Sequence, residues 1–120
     1  MIQDRLPPLM RRSAFWLCVL VVLVLALLPV ATHLPSTGWD KANHALAFGA
    51  MTVLGRWAYP RSTAALLLGL LAYGGLIEAL QALTPDRSSE WGDWLADGLG
   101  MALAWTLMRL AALLSTPRAS

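Results

Sequence analysis

The stretch AFWLCVLVVLVLALLPVAT, Ala14 to Thr32, contains no charged residue. At about 1.5 Å per residue, a helix of this length crosses the roughly 30 Å hydrocarbon core of a bilayer. It therefore predicts a transmembrane helix, and with it the solvent in which the rest of the chain must be read. Arg11 and Arg12 precede the run, as they would in a secretory leader. The apolar stretch is longer than the roughly 7–15 residues of a leader core, however, and no clean Ala-x-Ala follows it, which favours a retained span.

Composition agrees. The chain has 120 residues, 58% hydrophobic and only 13% charged, where soluble domains average about 45–50% and 25%. A soluble globule and a disordered chain are both excluded by this balance. The nine basic residues are scattered and form no dense run, which argues against a nucleic-acid partner. The one cysteine, Cys18, permits neither an intrachain disulfide nor a cysteine metal site.

Three further apolar runs follow, Ala42 to Tyr59, Ser62 to Leu83 and Trp94 to Leu114. The second and fourth runs carry charges only near their ends, His44 and Arg56 in one and Asp97 and Arg109 in the other, where a side chain can reach the interface. Short links join them: His33 to Lys41 with Pro35 and Gly38, then Pro60-Arg61, then Thr84 to Asp93 with its Pro85-Asp86 turn signal. The expected fold is a single all-α membrane domain over residues 1–120, a four-helix bundle running up-down-up-down. Arg5, Arg11, Arg12, Arg56, Arg61, Arg109 and Arg118 fall on one side of such a bundle, and only Lys41 and Arg87 on the other. Seven against two places both termini in the cytoplasm and the chain in the cytoplasmic (inner) membrane as a multi-pass protein.

Ionisable groups inside a membrane are costly and usually face a bundle interior or a wet cavity. Asp40, Lys41 and His44 share one face at the outer end of the second helix, because they are three and four residues apart. Glu78 and Gln81 lie in the last turns of the third helix, and Asp93 and Asp97 in the first turns of the fourth. All sit within about 10 Å of the outer surface by the helical rise. With Arg87 in the adjoining loop they outline a shallow outward pocket. Plainer roles exist for each: Asp40 as a helix cap, Lys41 as a snorkelling base, Asp93 as a partner of the helix dipole, Glu78 and Asp97 as halves of an interhelical clamp. Gly69, Gly74, Gly75, Gly98 and Gly100 read as close-packing positions, and Trp16, Trp39, Trp91 and Trp94 as an interfacial belt.

The ordered set Asp40-Lys41-x-x-His44, Glu78-x-x-Gln81 and Arg87-x5-Asp93-x3-Asp97-x2-Gly100 resembles the VanZ-like family. The likeness covers residues 39 to 101 by motif and the whole chain by its small multi-span layout. It implies that the eight polar positions are the family's recurrent ones, and it implies a cell-envelope context, since the family is named for low-level teicoplanin resistance. Two positions depart from the pattern: Phe48 stands where relatives often carry tyrosine, and Asp97 where they often carry asparagine.

Two classes of function follow. In the first, the pocket binds or modifies a lipid-linked or cell-wall headgroup: Lys41, Gln81 and Arg87 hold an anionic group, while Asp40, His44, Glu78, Asp93 and Asp97 supply acid–base chemistry. No cofactor is required. A metal-dependent version would draw on His44 with Glu78, Asp93 or Asp97, but a single histidine without a second clustered ligand pair argues against it. Ser88 and Ser89 lack the surroundings of a nucleophile. In the second class the polar groups only lock the helices together or pair with a partner membrane protein. An ion path ranks last, because the inner halves of the helices supply no polar groups beyond end arginines.

Overall fold

Prolines set the limits of the first helix. Pro8 stands at its first position, where a missing N–H costs nothing, and α1 runs Pro8–Leu27. Leu28, which precedes Pro29, is extended at φ −67° and ψ 149°, as the steric demand of a following proline requires. Helix α1 thus begins earlier than the apolar run and takes in Arg11 and Arg12. In the computed structural model, residues 5–28, 40–84 and 91–115 are described. The expected end of the first helix, 29–32, lies outside them. Three more helices follow: α2 Asp40–Ala58, α3 Thr63–Ala82 and α4 Trp91–Ser115. Among the described residues there are no strands.

Contacts fix the directions. Arg11 meets Trp57 and Trp16 meets Tyr59, so α1 and α2 are antiparallel. Tyr73 reaches Val19 and Gln81 reaches Ala26, so α1 and α3 are parallel. His44 meets Asp97, and Gly49 lies against Gly100 and Ala104, so α2 and α4 are also parallel. Consecutive helices therefore alternate in direction, as expected.

Helix α2 packs against all three others, most extensively against α4. Their seam is built from small residues spaced by four. A Cβ on Gly100 would run into the backbone of Ala45, and one on Gly49 would lie 3.4 Å from the Gly100 carbonyl oxygen. Such close approach is the membrane route to tight helix pairing, since dispersion between backbones replaces the missing hydrophobic drive. Phe48, Met51, Leu70, Ile77 and Met101 fill the core beside this seam.

Three helices, Pro8–Leu27, Thr63–Ala82 and Trp91–Ser115, are long and apolar enough to cross a membrane. Four spans were expected, and α2 is not among these three. Asp40, Lys41, Asn43, His44 and Arg56 lower its apolarity. The others expose leucine-rich faces, including Leu17, Leu68, Leu99 and Leu113, suited to lipid contact.

Candidate functional site

The polar residues gather where α2 and α4 begin and α3 ends. His44 Nδ1 lies 2.8 Å from Asp97 Oδ1, within a hydrogen bond, and 4.0 Å from Glu78 Oε1. On the other edge of the ring, Nε2 is 3.9 Å from Asp93 Oδ2. Lys41 Nζ stands 3.6 Å from Asp93 Oδ1. One imidazole is thus surrounded by carboxylates from α3 and α4. Asp97 is wholly buried, whereas the Lys41 side chain remains 39% exposed.

Backbone placement makes this layer possible. The α2–α4 seam brings His44 to Asp97. Gly74 on α3 clears the opposite side, since a Cβ there would lie 2.7 Å from Asp97 Oδ2. Gly92 leaves room for the stem of Lys41, which passes over the first turn of α4. Gly74 and Gly100 therefore act as the close-packing positions expected of them. Gly69 does not: a Cβ there would meet nothing within 4 Å.

Lys41, His44, Glu78, Asp93 and Asp97 thus come together, five of the eight positions singled out by sequence. Arg87 and the side chain of Asp40 lie outside the described residues. Gln81 is turned elsewhere. Its Nε2 donates to the Ala26 carbonyl at 2.9 Å. Ala26 lies in the last turn of α1, where carbonyls have no intrahelical partner, so Gln81 caps α1 from the neighbouring helix. Trp94, expected in the interfacial belt, instead donates its Nε1–H to the Leu71 carbonyl at 3.0 Å and stays half-buried. Trp91, 81% exposed, fits the belt. Phe48 is buried and packs beside Tyr73, ring centres 6.2 Å apart.

Among the described residues, three carboxylates lie beside one ammonium and one imidazole. His44, Glu78 and Asp97 each offer one ligand atom, all within 4.8 Å of one another. A mixed nitrogen and oxygen set of this kind suits zinc or manganese. A cation seated there would replace the His44–Asp97 hydrogen bond. Without one, Asp97 fixes the orientation of the imidazole and leaves Nε2 directed toward Asp93. No family model matches the chain, and no curated protein or solved structure matches it either.

Proposed function

We propose that the chain is a VanZ-like membrane protein of the cell envelope, whose polar layer forms an outward-facing site for an anionic lipid-linked or cell-wall headgroup and thereby alters lipoglycopeptide susceptibility. One observation carries this reading: four ionisable side chains from three helices converge around His44, with Lys41 at their exposed margin. In this reading Lys41 draws in the anionic group. His44, oriented by Asp97, exchanges a proton with it, and Glu78 or Asp93 carries the complementary acid or base role.

The orientation belongs to the same proposal. Helix α2, 19 residues and so about 28 Å long, crosses with the other three, its polar groups shielded by them. Both termini then face the cytoplasm in the inner membrane, supported by the seven-to-two excess of basic residues.

Glu78→Gln tests the chemistry, because glutamine keeps size and hydrogen bonding but cannot ionise. The expected result is normal membrane abundance with loss of any susceptibility phenotype. A full phenotype from a normally abundant Glu78→Gln protein rejects the acid–base role.

A second reading, a structural or assembly subunit, is favoured by a specific pattern. Tyr73, Gln81 and Trp94 each donate to a backbone carbonyl of another helix, so polar side chains on these helices already act as fasteners. If the layer is a clamp of the same kind, or pairs with a partner membrane protein, Glu78→Gln lowers abundance itself.

A further inference from the structure

The opposite end of the bundle carries an unrelated feature. Between α1 and α3 lies a crevice of about 480 Å³, lined by Phe15, Trp16, Tyr59, Leu66, Gly69 and Tyr73 among others. It exists because Gly69 presents no side chain toward it, and nothing would lie within 4 Å of a Cβ there. The hydrogen bond from Tyr73 to the Val19 carbonyl closes its deep end, and that from Trp16 to Tyr59 frames its mouth. From Ser62 to Tyr73 along α3 the helical rise amounts to about 16 Å, close to half of a roughly 30 Å hydrocarbon core. The crevice is therefore about one leaflet deep.

Its mouth is positively charged. The Arg12 guanidinium lies 5.1 Å from the centre of the Tyr59 ring and is exposed, as is Arg61, the residue before Ser62. Arg11 and Arg56 stand close by and donate to the carbonyls of Trp57 and Pro60. The acids whose side chains are described, Glu78, Asp93 and Asp97, all belong to the other end. An apolar slot one leaflet deep with a cationic rim has the chemistry of a lipid with a negative headgroup.

We propose that this crevice seats one acyl chain of an anionic glycerophospholipid, with its phosphate held between Arg12 and Arg61. The chain supplies apolar contact along Phe15, Leu66 and Tyr73, and the arginines supply selection by charge. The site is independent of the polar layer around His44.

The test uses the full chain purified in mild detergent. Phosphatidylglycerol and phosphatidylcholine are titrated separately, while thermal unfolding and native mass spectrometry report stabilisation and stoichiometry. The expected result is one phosphatidylglycerol per chain, bound at least 10-fold more tightly than phosphatidylcholine and weakened by salt. Arg61→Gln, which removes a cation at the exposed rim, should reduce that preference while leaving the unfolding temperature without lipid unchanged. Gly69→Leu should plug the crevice and abolish binding of both lipids while the protein stays folded, since leucine is the better helix former. Equal affinity for the two lipids, or undiminished binding by Gly69→Leu, overturns the proposal. So does a dimer that Gly69→Leu converts to monomer, because the crevice would then be the seat of a second copy.

Discussion

The two ends of the bundle handle charge in opposite ways. At one end, Asp97, Asp93 and Glu78 are buried between helices and grouped around His44. At the other, Arg12 lies over the Tyr59 ring while Arg11 and Arg56 reach backbone carbonyls near the helix ends. The difference follows from side-chain length. Arginine lays an apolar stem along the bundle and carries its charge toward the interface, whereas aspartate cannot reach out and must find partners in place. Charge at the arginine end therefore rests on exposed or part-buried contacts near the ends of α1 and α2. At the polar layer it depends on three helices being correctly docked.

That contrast is broken most forcefully by removing the centre of the layer. His44→Leu strips buried Asp97 of its hydrogen-bonding partner, and taking one member from a buried pair costs about 3–5 kcal/mol. Membrane abundance and the thermal unfolding temperature should both fall sharply. Gly100→Val attacks the seam that sets the layer's geometry. Its side chain meets the Ala45 backbone, which cannot rotate away, and the expected loss lies toward the upper end of about 1–3 kcal/mol in detergent unfolding. Gly49→Ala, with 3.4 Å available, should cost far less, and the pair of variants sharpens the claim that the seam is closest at Gly100.

Away from the layer the effects shrink. Gln81→Leu releases the Ala26 carbonyl at the end of α1 and should lower stability by about 1 kcal/mol, with no effect on a susceptibility phenotype. A loss of phenotype in a stable Gln81→Leu protein would return Gln81 to the site. In lipid-free detergent, Arg12→Gln gives up an exposed cation–π contact, worth about 0.5–1 kcal/mol. If Arg12→Gln proved as damaging as His44→Leu, the contrast between the two ends would fail.

Much of the fold was legible because length and hydropathy report on solvent. Four helices, their alternation and the short Pro60-Arg61 link follow from apolar runs and punctuation. The level at which Lys41, His44, Glu78, Asp93 and Asp97 meet was legible too, since helical rise converts sequence distance from a helix end into depth. Face was harder to read. Glu78 and Gln81 are three residues apart, yet one turns toward His44 and the other toward α1, because α3 sits between two neighbours and both faces are interior. The Gln81 acceptor is a backbone carbonyl, which leaves no mark in side-chain chemistry. Gly49 repeats Ala45 at a spacing of four, matching Gly100 and Ala104 on α4. The small-residue pattern on both helices was the available signal. Helix α2 falls short of the apolarity of the other three because Lys41, His44 and Arg56 lower its average, although His44 is directed at α3 and α4.

The most direct test of the polar layer as one coupled unit is a double-mutant cycle on His44 and Asp97, read by thermal unfolding of the full chain in detergent. His44→Leu and Asp97→Leu are measured singly and together. The predicted result is strong non-additivity, with the double variant recovering roughly 1–3 kcal/mol relative to the sum of the two single losses. Losses that add within about 0.5 kcal/mol would show that the two side chains do not act on each other, and would contradict the account.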